Sequence, residues 1–215
     1  MERRLVAALD LVDEGKALDL AREIQDEVFA YKVNWPLVLH SSPDIIRKLS
    51  NIGNVICDFK VADIPNTDRL ITERVRELGA YAIITHTITG TDSLEAVKRA
   101  AGSMKVIAVI SMSHPGGSEF INPVGKRLLE LALEKDVYGI VVPGNDPVTI
   151  ARLRKESGNL KLFAPGIGAQ GGDPSGAISA GADYLIVGRS IYESPDPVST
   201  VKGINKAIRS AVGSQ

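Results

Sequence analysis

The segment NVICDFKVADIPNTDRLITERVRELG, residues 54–79, contains one complete change from a strand pattern to a helix pattern. Its first residues are apolar and rich in β-branched side chains, which is typical of a short buried parallel strand. Pro65 suits the first turn of a helix, because the N–H that proline lacks would have no partner within the helix there. Apolar residues then recur at helical spacing until Gly79, a common stop signal. We therefore predict a strand over 54–60 and a helix over 65–79.

The same change recurs along the chain and predicts the fold class. Seven more apolar runs rich in Val and Ile predict strands over residues 4–10, 28–34, 81–87, 105–111, 138–143, 161–166 and 182–188. Further helical patterns occupy 91–102, 146–158 and 197–212. Strands that alternate with helices favour right-handed βαβ units and a parallel sheet. We predict a single-domain α/β fold, a (β/α)8 TIM barrel over residues 1–215, with an open doubly wound sheet as the alternative.

Composition argues against several function classes. The formal net charge is −1 and charged residues make up 24% of the chain, so no charge excess points to nucleic acid or a membrane surface. The one cysteine, Cys57, cannot form an internal disulfide, and no Cys/His spacing suggests zinc. No window reaches the roughly 18 consecutive apolar residues of a membrane helix, and the N-terminal residues lack a signal-peptide pattern. We expect a soluble, cytoplasmic protein with no nucleic-acid or membrane partner.

Polar residues collect where the predicted strands end, which is where barrel enzymes place their chemistry. Residues two apart on a strand share a face, so Asp58 and Lys60 point together into the barrel mouth, while Cys57 and Phe59 face the helices. A rim salt bridge of little energetic value would also explain the Asp58 and Lys60 pair. Further charges nearby, at Asp10, Lys32 and Asp63, favour a preorganised site instead.

Two glycine-containing loops predict a phosphate site. APGIGAQGGDPSG (164–176) follows the seventh strand and VGRS (187–190) follows the eighth. In barrels these two loops commonly bind phosphate through backbone N–H groups, and Arg189 would add charge-assisted hydrogen bonds. Glycines also serve turns in general, so the pairing of the two loops carries the prediction. The loop at 111–123 is a candidate lid, and His114 within it has no obvious catalytic partner.

Together these motifs resemble the orotidine 5′-monophosphate decarboxylase family. DFKVADIPNT (58–67) is similar to the family's Asp-x-Lys-x-x-Asp-Ile-Pro-Asn-Thr signature. Further similar motifs, in the family's order and spread over essentially the whole chain, are ALD (8–10), YKVN (31–34), MSHPG (112–116), PGIGAQGGD (165–173) and IVGRSIY (186–192). The Asp-x-Lys-x-x-Asp core is shared with related sugar-phosphate enzymes, whereas IPNT and GAQGGD are more selective.

The resemblance implies a cofactor-independent decarboxylation of orotidine 5′-monophosphate to uridine 5′-monophosphate. Lys60 would protonate C6 of the pyrimidine, and Asp58 would lie against the departing carboxylate. Lys32 and Asp63 would complete an alternating charge network with them. In the family, the last aspartate and the threonine of the signature act in the neighbouring subunit, so Asp63 and Thr67 would serve a partner's site in a homodimer.

The resemblance also implies the substrate-binding residues. Asp10 would bind a ribose hydroxyl, Ser113 the pyrimidine, and Gln170 and Arg189 the phosphate. Lys32, Pro165, Thr67 and Gly188 complete the predicted set of substrate contacts. Two positions depart from the family's frequent residues: Asn34, where glycine is common, and Ser111, where glutamate is common. The alternatives are a Mg²⁺-dependent barrel of the hexulose-phosphate synthase or ketogulonate-phosphate decarboxylase type, and a non-catalytic barrel that binds a phosphate ligand.

Overall fold

Eight parallel strands close into a barrel in chain order in the computed structural model, which describes residues 3–112 and 114–213. The strands are β1 Leu5–Ala8, β2 Ala30–Val33, β3 Asn54–Val61, β4 Ala82–His86, β5 Lys105–Val109, β6 Gly139–Val141, β7 Lys161–Pro165 and β8 Tyr184–Val187. The predicted (β/α)8 barrel is therefore confirmed. Most strands are shorter than predicted, so that β1 ends at Ala8 and Asp10 follows it as part of the loop.

Helices surround the barrel and connect its strands. They are α1 Glu14–Ile24, α2 Trp35–His40, α3 Asp44–Ser50, α4 Pro65–Glu77, α5 Thr91–Ala101, α6 Gly125–Glu134, α7 Pro147–Glu156, α8 Pro174–Ser179, α9 Arg189–Tyr192 and α10 Pro197–Val212. Short 3₁₀ turns at Pro115–Ser118 and Asn122–Val124 shape the loop after β5. None of the helices in the described ranges has the length and apolar character needed to cross a membrane.

Several helix starts follow directly from local sequence. Asp146, Asp173 and Asp196 each precede a proline and accept a backbone N–H three residues on, at the starts of α7, α8 and α10. An aspartate cap satisfies an otherwise unbonded N–H and typically stabilises a helix by about 1 kcal/mol. These caps fix the residue at which each of the three helices begins.

Two apolar cores support the site, one between the barrel and the helices and one inside the barrel. The inner core contains Val6, Ala8, Ala30, Ile56, Ala82, Ile84, Ile107, Val109, Phe163, Tyr184 and Ile186. Stacked rings close its amino-terminal end, since Tyr184 lies 4.3 Å from Phe29 and 4.7 Å from Phe163 between ring centroids. The carboxyl end of the barrel is where polar residues face inward.

Strand β3 departs from regular pairing at the position where its charges begin. Cys57 pairs with Ile83, but the next pair is Val61 with Thr85, so β3 contains two extra residues there. Lys60 lies within this bulge and adopts a left-handed φ of 44°. A non-glycine residue in that region costs of order 1–3 kcal/mol, and such strain clusters at functional sites. The predicted faces are confirmed, because Cys57 packs in the outer core while Lys60 turns toward the barrel mouth.

The close packing at β6 gives a test of the fold. A Cβ on Gly139 would lie 2.5 Å from the Lys161 carbonyl oxygen and 2.9 Å from the Phe163 ring. We expect Gly139→Ala to lower the free energy of unfolding by about 1–3 kcal/mol through overpacking. As a matched control, Gly203 in α10 has no atom within 4 Å of that position. Gly203→Ala should raise stability by about 0.4–1 kcal/mol. Urea unfolding that shows equal stability for the two variants would contradict this packing.

Candidate active site

Four charged side chains form a continuous chain at the carboxyl end of the barrel. Lys32 Nζ donates to Asp10 Oδ1 at 3.0 Å and lies 3.2 Å from Asp58 Oδ2. Lys60 Nζ donates to the other carboxylate oxygen of Asp58 at 2.7 Å. The structure thus brings Lys32, Asp58 and Lys60 together with Asp10, and positive and negative groups alternate from β1 to β3.

Burial and pairing act in opposite directions on these charges. Burial disfavours the Asp58 carboxylate, but the Lys32 and Lys60 ammonium groups outweigh it and hold the pKa of Asp58 below its usual value. Burial likewise disfavours charge on Lys32, which is only 6% exposed, but Asp58 and Asp10 raise its pKa above the usual value. Both groups are therefore ionised near neutral pH, and each keeps the other charged.

Trp35, at the start of α2, braces the bulge that presents Lys60. Its Nε1 donates to the Phe59 carbonyl oxygen at 3.0 Å. Its ring also stacks on the Phe59 ring, with 4.3 Å between centroids. The start of α2 thus holds the peptide group between Phe59 and Lys60. This contact fixes the direction in which the Lys60 side chain leaves β3.

A cavity of about 270 Å³ opens beside these charges. Its wall includes the predicted site residues Lys32, Asp58, Lys60, Pro165 and Gln170, together with Ile84, Ser111, Met112, His114, Val141, Val142, Pro143 and Ile186. A larger cavity of about 390 Å³ lies between α6 and α7, but it contains none of the predicted catalytic residues. The charge chain therefore identifies the smaller cavity as the candidate active site.

The two predicted phosphate loops contact one another at the mouth, next to β1. A Cβ on Gly168 would lie 2.4 Å from the Ser190 hydroxyl oxygen, so only glycine allows this approach. Gly168 has a φ of 74°, a conformation that glycine adopts without strain. Gly188 lies beside the charge chain, because a Cβ there would be 3.4 Å from Asp10 Oδ2. Arg189 follows at the exposed start of α9.

Asp63 and Thr67 lie apart from the charge chain of their own subunit. Asp63 is exposed, and its carboxylate accepts the Ile64 backbone N–H at 2.7 Å. Within the described ranges, no ion pair joins Asp63 to Lys60, and neither Asp63 nor Thr67 lines the cavity. The predicted contact of Ser113 with the pyrimidine falls on a residue outside the described ranges.

Sequence reasoning missed the two residues that fix the backbone of Asp63. Asp68 is fully buried and accepts the Asp63 N–H at 3.0 Å, while the Ser93 hydroxyl donates to the Asp63 carbonyl oxygen at 2.8 Å. Burial raises the pKa of Asp68. An aspartate in the first turn of a helix is common, so nothing in the residue type marks Asp68. The one sequence signal was that Asp68 follows Asp63 by five residues.

His86 ends β4 near the charge chain, and its sequence context indicated no catalytic role. Burial lowers the pKa of His86, and the nearby Lys60 ammonium lowers it further. Its Nδ1 atom is buried and has no hydrogen-bond partner in the described part of the chain. Over the same residues, no group of three or more His, Cys, Asp or Glu side chains is arranged to hold a metal ion.

Comparison with known proteins gives one consistent result. The model of the orotidine 5′-phosphate decarboxylase / HUMPS family matches residues 3–204. The orotidine 5′-phosphate decarboxylase of Thermoplasma volcanium is 49% identical over 212 residues, which are 99% of this chain and 96% of that protein.

Solved structures agree with the sequence comparison. The crystal structure of orotidine 5′-phosphate decarboxylase from Pyrococcus horikoshii OT3 superposes with a TM-score of 0.91 at 45% identity, covering 95% of this chain and 99% of that one. The enzyme from Methanocaldococcus jannaschii, complexed with the inhibitor BMP, also gives a TM-score of 0.91, at 36% identity, and covers 97% of this chain and 99% of its own.

The lowered pKa of Asp58 predicts how stability depends on pH. A carboxyl group whose pKa is lowered on folding stabilises the fold above its usual pKa, and this contribution is lost as the pH falls through the lowered value. The raised pKa of Lys32 acts only at the alkaline end, because its contribution is lost as the pH rises through the raised value. As the pH falls from roughly 5 to 2, we therefore expect the free energy of unfolding to decrease less in Asp58→Asn than in the wild type.

Chemical denaturation at a series of pH values measures this difference. Asp26→Asn is the matched control, because the Asp26 side chain is 93% exposed. It should retain the acid dependence of the wild type. If Asp58→Asn shows the same acid dependence as the wild type, the two lysines do not stabilise the charge of Asp58.

Proposed function

The chain belongs to the orotidine 5′-phosphate decarboxylase / HUMPS family and is an enzyme of the carboxy-lyase class, and on that premise we propose that it converts orotidine 5′-monophosphate to uridine 5′-monophosphate and carbon dioxide. This is a step of pyrimidine nucleotide synthesis. One observation carries the proposal: the alternating chain of Asp10, Lys32, Asp58 and Lys60 ends in a lysine that lines a cavity of about 270 Å³.

The proposed reaction needs a positive charge at one carbon atom. Loss of carbon dioxide from C6 leaves an electron pair in the plane of the pyrimidine, where the ring π system cannot delocalise it. The Lys60 ammonium stabilises this charge as it develops and then donates a proton to C6. Asp58 accepts a hydrogen bond from the Lys60 ammonium at 2.7 Å and so orients it before the transfer.

Asp58 has a second proposed effect, which acts on the substrate carboxylate. The anionic Asp58 side chain is 10% exposed, so water screens its charge only weakly. A substrate carboxylate bound beside it is repelled, and the repulsion is relieved as carbon dioxide forms and negative charge moves to C6. The interaction with Lys60 strengthens along the same path, so the site binds the transition state better than the substrate.

The remaining predicted contacts hold the sugar and the phosphate. Asp10 accepts a hydrogen bond from a ribose hydroxyl, and Ser113 contacts the pyrimidine. Gln170 and Arg189 bind the phosphate together with the glycine-rich loops. Gln170 lies in the cavity wall and Arg189 is exposed at the start of α9, which supports these roles. Phosphate binding far from C6 supplies energy that orients the base.

The proposed active form is a homodimer in which Asp63 and Thr67 enter the partner's site. The position of Asp63, outside the charge chain of its own subunit, supports this arrangement. Exposed apolar side chains also follow three neighbouring strands at the same end: Trp35, Leu39, Ile64 and Ile88, which are 42%, 74%, 65% and 46% exposed. Apolar groups exposed together are typical of an interface.

The activity is tested by the loss of the ultraviolet absorbance of orotidine 5′-monophosphate on addition of purified protein with EDTA present. We expect turnover with EDTA, and a loss of at least about 100-fold in kcat for Lys60→Ala because the proton donor is removed. Lys105→Ala is the matched control, since Lys105 begins β5 at the other end of the barrel and lies over the Tyr138 ring. Full turnover by Lys60→Ala would overturn the mechanism, and activity that EDTA abolishes would favour a metal-dependent relative.

Mixing two inactive variants tests the shared site. In a heterodimer of Asp63→Asn and Lys60→Ala subunits, one site receives Lys60 from the first subunit and Asp63 from the second. Random exchange should therefore restore roughly a quarter of all sites. Activity recovered after mixing, measured against each variant alone, is the expected result. If subunit exchange is demonstrated by mass spectrometry and no activity returns, Asp63 acts within its own subunit.

A further inference from the structure

The backbone of Asp63 is held at both of its peptide groups by side chains from two different helices. Its N–H donates to Asp68 Oδ1, in the first turn of α4, at 3.0 Å. Its carbonyl oxygen accepts the hydroxyl of Ser93, the third residue of α5, at 2.8 Å. The two peptide groups that flank Asp63 are therefore fixed within a single subunit.

The two holding side chains are buried, whereas the residue that they hold is exposed. Asp68 is 0% exposed and Ser93 is 2% exposed, but Asp63 faces solvent. Oδ1 of Asp63 also accepts the Ile64 N–H at 2.7 Å, which restricts rotation of the carboxylate. A carboxylate that is ordered in this way loses little further freedom when it enters a site on another subunit.

Stability alone does not explain the burial of Asp68. Burial raises the pKa of Asp68, although the hydrogen bond from the Asp63 N–H acts in the opposite direction. Its Oδ2 atom is buried and has no hydrogen-bond partner among residues 3–112 and 114–213. A buried polar atom without a partner destabilises a fold. The chain thus retains a destabilising carboxyl group whose other oxygen binds the backbone of Asp63.

We propose that Asp68 and Ser93 act across the subunit boundary: they fix the backbone of Asp63 and so place its carboxylate in the active site of the partner subunit. The inference rests on the proposed function for the homodimer in which Asp63 serves the neighbouring site. Both are positioning residues, because neither belongs to the described wall of the cavity in its own subunit. A defect at Asp68 should therefore appear in the partner's site and leave its own subunit's site intact.

Kinetics of matched variants test the two hydrogen bonds. Asp68→Ala removes the acceptor and Ser93→Ala removes the donor, whereas Asp68→Asn keeps a carbonyl oxygen in place. We expect each alanine variant to lower kcat/KM for orotidine 5′-monophosphate by at least about 10-fold, and Asp68→Asn to stay within about 3-fold of the wild type. Thr72→Val is the control, because Thr72 is fully buried one turn further along α4 and its hydroxyl bonds only the Asp68 backbone carbonyl oxygen. Wild-type kcat/KM in both alanine variants, or equal losses in Asp68→Asn and Asp68→Ala, would overturn the inference.

Mixing subunits separates action across the boundary from a structural role. Asp68→Ala mixed with Lys60→Ala should recover activity in roughly a quarter of all sites, because Lys60 of the first subunit meets a correctly held Asp63 from the second. Asp68→Ala mixed with Asp63→Asn should gain nothing over the mean of the two variants, because neither subunit supplies a correctly placed Asp63. With subunit exchange demonstrated, recovery in the second mixture or none in the first would show that Asp68 does not act through the partner's site.

Hydrogen exchange at the Asp63 amide requires no substrate and so separates this inference from the proposed function. We expect exchange at least about 10-fold faster in Asp68→Ala than in the wild type or Thr72→Val. An unchanged rate would overturn the inference even in an active enzyme. The expected exchange rates in a protein that does not decarboxylate orotidine 5′-monophosphate would refute the proposed function alone.

Discussion

The pairing of Asp58 with two lysines is the constraint on which the open end of the barrel depends. Two ammonium groups in one partly buried wall would repel each other, and an unpaired buried carboxylate would be strongly destabilising. Asp58 lies between Lys32 at 3.2 Å and Lys60 at 2.7 Å, so each charge is compensated in place. Asp10 extends the pattern by one more carboxylate. The charges are therefore fixed in position and orientation before a substrate binds, which is the condition for electrostatic catalysis.

The fold supplies this wall through local irregularity as much as through the barrel itself. A regular β3 would continue its pairing with β4 beyond Cys57, whereas the observed strand inserts two residues and gives Lys60 a φ of 44°. Trp35 holds the adjacent Phe59 peptide by a hydrogen bond and by ring stacking. The strain at Lys60 is therefore offset by contacts from α2, and the direction of its side chain is set by structure outside its own strand.

Sequence periodicity predicts the strands and their faces because those features depend on residues close in the chain. The faces of β3 and the charges Lys32, Asp58 and Lys60 followed from alternation and strand ends. The bulge, the Trp35 brace and the hydrogen bonds that hold Asp63 did not, since they depend on groups brought together from separate parts of the chain. Asp63 and Ser93, for example, are 30 positions apart. Strand ends were also overestimated, because apolar residues continue past the last ladder hydrogen bond.

A double-mutant cycle on kcat/KM for orotidine 5′-monophosphate tests most directly whether the charges act as one unit. The variants are Lys32→Met, Asp58→Asn and the combination of both. If Lys32 acts mainly by keeping Asp58 charged and oriented, kcat/KM of the combined variant is only slightly below that of the less active single variant. Losses that multiply, with no coupling free energy between the two positions, would contradict the claim that the alternating charges form a single catalytic unit.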